Sequence, residues 1–197
     1  PFADSSQIPT SILCKHISRS SKVAISGDGG DEVFGGYNRH IWIEKINKIN
    51  KSKSLKFILN LLRNNLSENS IDFINNNLKN FIPKKYQINF LGQKISKLSS
   101  RLKSGGDFFD LYKFITTEWT DVNELVYDTG EFDFFENEKN LPSKTNLKEL
   151  TMYLDTMIYL PNDILVKMDR ASMYHSLEVR TPFLNSKLID LAWSLPI

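Results

Sequence analysis

Val23-Ala24-Ile25-Ser26-Gly27-Asp28-Gly29-Gly30-Asp31-Glu32-Val33-Phe34-Gly35-Gly36-Tyr37 holds the two patterns that decide the fold. Val23, Ala24 and Ile25 form a short apolar, partly β-branched run that reads as a strand over 22–26. It passes directly into a loop with three glycines and three carboxylates in the seven residues 26–32. Upstream, Ile8, Ile12, Leu13 and Ile17 have helical spacing within 5–20, and Pro9 stands where an early helical turn tolerates its missing N–H. A helix, a buried strand and a Gly-rich turn in this order predict a parallel α/β arrangement.

The loop also carries chemistry. Glycines let a backbone turn sharply and approach a ligand, and inward N–H groups at such a turn cradle phosphate oxygens. Three acids beside phosphates would repel them, and a hard cation removes that conflict. Asp oxygens hold Mg²⁺, which bridges phosphate oxygens and neutralises developing charge. Residue types alone leave two other readings open. A hairpin turn is signalled by Asp-Gly and Gly-Gly, but Val33-Phe34 is too short for its second strand. A calcium loop lacks the distal Glu that closes it.

Past Tyr37 the composition shifts to Lys, Asn, Ile and Leu, and Leu55, Ile58, Leu59, Leu62 and Leu66 repeat at helical spacing. Lys45, Lys48, Lys51 and Lys53 read as a solvated helix face, because no aromatic interleaves them as a nucleic-acid stacking platform requires. Asn75-Asn76-Asn77 reads as a polar turn. Phe108, Leu111, Tyr112, Ile115 and Trp119 predict another amphipathic helix, and the acidic, aromatic stretch 131–138 a surface loop. Leu147, Leu150, Leu154 and Met157 line one helix, Pro161-Asn162-Asp163 is expected to break and recap the chain, and a second helix runs to about His175. In that second helix Asp163, Lys167, Arg170 and Tyr174 fall at i, i+4, i+7 and i+11, one helical face. Two cations a turn apart make a clamp for phosphate or carboxylate, with Arg supplying the bidentate fork. The competing reading is an Asp163–Lys167 ion pair on a wet surface.

Composition limits the classes. At 197 residues with 41% apolar and 24% charged types, the chain has room for one domain with a real core. A net charge of +2 provides no field that gathers nucleic acid or anionic lipid. A single cysteine, Cys14, excludes an intramolecular disulfide and reads as a small core residue. No run of about 18 apolar residues offers a membrane span, so a cytosolic location is expected. His16, His40 and His175 lack metal-site spacing, and no internal repeat is visible. An opening of Pro1-Phe2-Ala3-Asp4 and an ending of Pro196-Ile197 suggest a piece cut from a longer protein.

Residues 26–37 closely resemble the S-G-[DE]-G-x-D-E-[LV]-F-G-G-Y motif of glutamine-hydrolysing asparagine synthetases. Residues 1–6 (Pro1-Phe2-Ala3-Asp4-Ser5-Ser6), 160–173 (Leu160-Pro161-Asn162-Asp163 through Ala171-Ser172-Met173) and 177–185 (Leu177-Glu178-Val179-Arg180-Thr181-Pro182-Phe183-Leu184-Asn185) are similar to further blocks of that family. The resemblance covers about 1–40 and 150–197, and between them only a helical character is legible. It implies that 1–197 is a partial synthetase domain, truncated at both ends. The implied fold is part of an ATP-pyrophosphatase (adenine nucleotide alpha hydrolase-like) domain, α/β to mostly α, with a short parallel-strand region and a helical remainder.

The implied chemistry adenylates the side-chain carboxylate of aspartate with ATP and Mg²⁺, releases pyrophosphate, and lets glutamine-derived ammonia displace AMP. The resemblance makes Asp31 the Mg²⁺ ligand and places Asp28 beside the reacting carboxylate, where an anion orients or deprotonates the incoming ammonium. Ser26, Gly27 and Gly29 would contact ATP and the acyl-adenylate, with Glu32 a supporting acid behind them. It also favours Lys167 and Arg170 as the clamp, and a buried ion pair for Glu178 and Arg180. The expected partners are small molecules and a glutaminase domain in the parent chain, with neither nucleic acid nor membrane. The family's S-G-G-x-D-S pyrophosphate loop is absent from these residues, and its catalytic lysine is expected beyond Ile197. The chain alone is therefore expected to be inactive. Relatives with the same loop activate other carboxylates, as β-lactam-forming synthetases and other amidotransferases do. A non-catalytic module of the same fold is the remaining alternative.

Overall fold

A computed structural model describes residues 4–79, 83, 90–101, 108–117 and 146–195. The chain divides into two compact units, Pro1–Ile43 with Val122–Ile197, and Glu44–Asp121. The predicted elements at 1–3, Trp119, the loop at 131–138 and the last two residues lie outside the described residues.

In the first unit, helix α1 (Gln7–Ile17) leads into strand β1 (Val23–Ile25). β1 pairs in parallel with β2 (Glu178–Arg180), Val23 facing Glu178 and Ile25 facing Arg180. Two more bonds extend the ladder: Glu178 N–H donates to Lys22 O and Ser26 N–H to Arg180 O, both at 2.9 Å. The parallel pair agrees with the predicted topology, but the expected burial of the strand does not hold. Ile25 is 77% exposed, although parallel sheets are normally covered on both faces. Alternate strand residues share a face, and the face of Val23, Ile25, Glu178 and Arg180 is largely exposed. For the same reason the predicted Glu178–Arg180 pair forms, at 2.8 Å, as an exposed pair and not a buried one.

After β1 the loop enters a single-turn helix, α2 (Gly30–Phe34), with left-handed glycines at both ends, Gly29 at φ 87° and Gly35 at φ 72°. The Leu184 side chain occupies the space a Cβ on Gly29 would need. Gly29→Ala is expected to cost about 1–2 kcal/mol from the left-handed backbone alone, plus the displacement of Leu184. A thermal melt of the full-length protein should show the lowered midpoint.

Helix α3 (Asn38–Lys51) follows α2. Near the C-terminus come α8 (Leu147–Leu154) and α9 (Leu165–Met173), then, after β2, the 3₁₀ turn Pro182–Leu184 and α10 (Ser186–Ser194). α8 begins in a capping box, Asn146 Oδ1 accepting from Glu149 N–H at 2.8 Å and Glu149 Oε2 from Asn146 N–H at 3.3 Å. The core of this unit gathers Cys14, Val33, Ile43, Met152, Leu154, Leu160, Ala171 and Leu177.

Between α8 and α9 the predicted break is absent. Residues Asp155–Ile164 wind as a π-helix that contains Pro161 and continues into α9. Proline offers no N–H to an α-helical ladder, and the wider winding absorbs it. Leu165 N–H donates to Leu160 O, and the Asn162 side-chain amide donates to Ile158 O at 2.8 Å. Asp155, Tyr159, Asp163 and, at the start of α9, Lys167 recur every four residues; Arg39 reaches both Asp155 and Tyr159, and the Tyr159 hydroxyl bonds to Asp163.

The second unit is helical, as its periodicity predicts. It contains α4 (Lys53–Asn65), α5 (Glu68–Leu78), α6 (Leu91–Arg101) and α7 (Phe108–Thr116). Ser52 and Ser67 cap α4 and α5 by accepting from Leu55 N–H and Ser70 N–H. α6 packs on both α4 and α5. Lys45, Lys48, Lys51 and Lys53 are exposed, as expected of a solvated face. Asn75-Asn76-Asn77 is not a turn but the end of α5, with Asn75 buried. Weak helix propensity yields there to the packing of the Ile71 face. Among the described residues no helix is long and apolar enough to cross a membrane.

Candidate active site

The end of β1 delivers the acidic loop. Ser26 Oγ donates to Asp28 Oδ2 at 2.6 Å, and Asp28 N–H donates back to Ser26 Oγ at 3.1 Å. The predicted ligand-facing hydroxyl of Ser26 thus holds the carboxylate two residues on. Nothing lies within 4 Å of where a Cβ on Gly27 would stand, so the backbone there is open to a ligand.

α2 separates its two acids. Asp31 is exposed, and its Oδ1 lies where a Cβ on Gly36 would be, which makes that glycine necessary to the carboxylate's position. Glu32 turns inward at 1% exposure and accepts from the Tyr37 hydroxyl at 2.7 Å. Among the described residues no group of three or more His, Cys, Asp or Glu side chains is gathered as a metal cage. The donor set still suits Mg²⁺, which takes hard oxygens and is commonly held by one or two carboxylates together with substrate phosphates and water. Asp31, with Asp28 close in sequence, would hold it.

The predicted cationic face divides. Lys167 on α9 is buried, donating to Asp4 Oδ2 at 2.7 Å and Ser6 Oγ at 2.8 Å just ahead of α1, while Arg170 on α9 and Tyr174 at its end are exposed. The ion pair that forms is therefore Lys167 with Asp4, and not an exposed intrahelical pair with Asp163. A second tie joins α1 to the turn after α9, the 3.0 Å contact of Ser11 Oγ with His175 Nε2.

A further cluster escaped the sequence reading. Asp155, fully buried, accepts from Arg39 Nε at 2.8 Å and from His40 Nε2 at 2.6 Å. A carboxylate only accepts, so Nε2 carries the imidazole proton, and His40 Nδ1 is buried with no hydrogen-bond partner among the described residues. The Arg39 guanidinium lies 4.0 Å from the Tyr37 ring centre and 4.5 Å from that of Tyr159. Both tyrosines are pushed up, Tyr37 well above the usual phenol range, first by burial and then by a neighbouring carboxylate, Glu32 for Tyr37 and Asp163 for Tyr159. Both stay hydrogen-bond donors through the physiological range. Arg39 and His40 lie directly after the loop motif, but their partner is more than a hundred residues away in sequence.

Asp4 and Asp163 are shifted in opposite senses. Burial works to raise Asp4, but hydrogen bonds from Lys167 and Ser6 outweigh it and hold its carboxyl below the usual range. Burial, then the Asp4 charge, push Asp163 up, with Lys167 and the Tyr159 hydroxyl opposing. A depressed carboxyl contributes stability above its unfolded pKa that is lost as pH falls through the folded value. A raised one contributes stability below its unfolded pKa that is lost as pH rises through the folded value. Asp163→Asn is therefore expected to stabilise this unit at pH 7 relative to wild type and to lose that advantage below pH ~4. Urea denaturation at the two pH values checks the sign.

Comparison with protein families matches the asparagine synthase model over residues 1–197. The chain is 25% identical, over its whole length, to "Asparagine synthetase [glutamine-hydrolyzing] 1" of Bacillus subtilis (strain 168), covering 28% of that protein. It is also 25% identical, again over its whole length, to "Putative asparagine synthetase [glutamine-hydrolyzing]" of Mycobacterium tuberculosis (strain ATCC 25618 / H37Rv), covering 27% of it. A "Putative asparagine synthetase [glutamine-hydrolyzing] 2" of Methanocaldococcus jannaschii is 49% identical over 41 residues, 21% of this chain and 8% of that protein. The chain thus spans little more than a quarter of the first two relatives' length. No solved structure matches it.

Proposed function

The chain belongs to the asparagine synthase family, and from that premise we propose that it is part of an ATP-dependent ligase that makes an amide from a carboxylate, with aspartate as the acid. The observation that carries this reading is the acidic loop, where Asp31 is exposed, Asp28 is held by Ser26, and the Gly27 backbone is open. The parallel pairing of β1 and β2 supports an ATP-pyrophosphatase fold, in which the loop follows a strand end.

In the proposed reaction an aspartate side-chain oxygen attacks the α-phosphorus of ATP, and the bond to pyrophosphate breaks. Ammonia then attacks the acyl carbon, AMP leaves, and a proton is lost from nitrogen. Mg²⁺, when bound, neutralises charge on the departing pyrophosphate. This chain's residues do the rest. Asp31 supplies oxygen ligands, and Asp28 orients the incoming ammonium and takes its proton. The backbone at Gly27 and Gly29 lies along the nucleotide, and Glu32 supports the loop from behind. Arg170, exposed on α9, is the cation for phosphate or carboxylate. Lys167 joins it only if its bonds to Asp4 and Ser6 open. The ammonia would come from a glutaminase domain in the parent protein, and the reaction would be cytosolic.

The test is exchange of labelled pyrophosphate into ATP by the full-length protein, with and without aspartate. Aspartate-dependent exchange is expected, and the isolated 197-residue chain is expected to show none. Exchange supported only by another acid would replace the substrate, and no exchange with any acid would make this a non-catalytic module.

A further inference from the structure

We propose that Asp155 is the positioning residue of the acidic loop, acting through Arg39, Tyr37 and Glu32 on the single-turn helix that carries Asp31. The inference rests on the reading of Asp31 as a metal ligand and adds what aims it.

α2 has five residues, far too few for a helix to hold its own conformation. The direction of Asp31 therefore depends on what grips α2 from outside. Three grips are hydrophobic: Val33 is buried, Leu184 lies over Gly29, and the Phe34 and Phe183 rings meet edge to face at 6.0 Å. Such contacts set the depth of the turn and leave its rotation soft. The directional grip is the bond from the Tyr37 hydroxyl to the buried carboxylate of Glu32, the residue adjacent to Asp31. With Glu32 turned in, Asp31, the preceding position and about 100° round the helix, faces solvent.

Tyr37 is placed in turn. The Arg39 guanidinium stacks on its ring and on that of Tyr159, and the two rings meet nearly perpendicularly, at 82°. Arg39 cannot choose another pose while its Nε donates to Asp155, and His40 fixes the same Asp155 oxygen from the other side. Asp155 opens the π-helical segment, and wide turns of this kind are found frequently at functional sites. Arg39 meets both Asp155 and Tyr159, so one segment both anchors Arg39 and supplies its second aromatic face.

The test uses the full-length protein with two variants, Tyr37→Phe, which removes one hydroxyl and keeps the ring, and Asp155→Asn, which keeps the shape and removes the charge. Mn²⁺ binding in the presence of ATP is followed by electron paramagnetic resonance, and amide exchange is followed at residues 30–34. Each variant is expected to weaken Mn²⁺ binding about tenfold, as loss of a group that orients a metal ligand does. Each should also speed exchange at 30–34 by a larger factor than at α10, which lies in the same unit. A general loss of stability would speed both by the same factor and overturn the proposal. Wild-type exchange at 30–34 in Tyr37→Phe, or faster exchange there with wild-type Mn²⁺ affinity, would overturn the proposal. If the wild-type protein binds no Mn²⁺, the metal reading of Asp31 fails, and the aiming of a metal ligand fails with it. Faster exchange at 30–34 would then retain only the grip of Asp155 on α2.

Discussion

Asp31→Ala in the full-length protein is expected to abolish magnesium-dependent exchange of pyrophosphate into ATP, and Asp28→Ala to lower amide formation by about 10²–10⁴-fold. The two losses belong to different steps. Asp31 is exposed on α2, and in the proposed reaction its carboxylate would meet a cation carrying phosphates, so its removal is expected to act on adenylation. Asp28 is half-buried and held by Ser26, a placement suited to an anion that receives the incoming ammonium, so its removal acts on the second step. Measuring exchange and amide formation side by side separates them. Full exchange in Asp31→Ala would remove the metal role from this loop. Undiminished amide formation in Asp28→Ala would remove the acid–base role. Asp28→Asn should resemble Asp28→Ala, because a neutral amide accepts no proton.

Asp155→Ala is expected to be the most destabilising single change in the first unit. Its side chain is fully buried and accepts from two donors, one of them the Arg39 guanidinium. Removing one partner of a buried pair leaves a charge without compensation and costs about 3–5 kcal/mol. Native-state hydrogen exchange at the protected amides of α8 and α9 measures the loss directly. A loss below about 1 kcal/mol would mean that Arg39 finds water or another acceptor when Asp155 is gone. Asp155→Asn, which retains an acceptor, should lose less.

Much of the fold is legible in local pattern. The helix at Ile8, Ile12 and Ile17, expected within 5–20, spans Gln7–Ile17, the strand expected over 22–26 spans Val23–Ile25, and the middle is helical as its periodicity predicts. Their signals are periodicity and turn chemistry, and both operate over a few neighbouring residues. The errors share a cause as well. Pro161 carries a strong local break signal, but a wide helical turn absorbs it, and the segment is held by its buried Asp155 and Leu160 and by packing on α2. Asn75 prefers a turn in isolation and is buried in α5. Glu178 and Arg180 are paired as expected, since side chains two apart on a strand share a face, but that face is largely exposed.

The candidate site divides along the same line. The glycines and acids of 26–37 suggest a ligand loop but leave a hairpin turn and a calcium loop open by residue type alone, and it is the family resemblance that favours the first. Family membership rests on that stretch and on the blocks near the C-terminus, all readable in one dimension. The sequence by itself therefore determined the helices, the strand, the loop and the family. Only the tertiary structure decided which acid of the pair Asp31 and Glu32 faces outward, that Lys167 serves Asp4 and Ser6, and that Arg39 and His40 converge on Asp155. The reason is physical: backbone preference and hydrophobic period are set by near neighbours, whereas the partner of a buried charge is whatever the fold brings within about 3 Å, and in this protein that partner stands more than a hundred residues away.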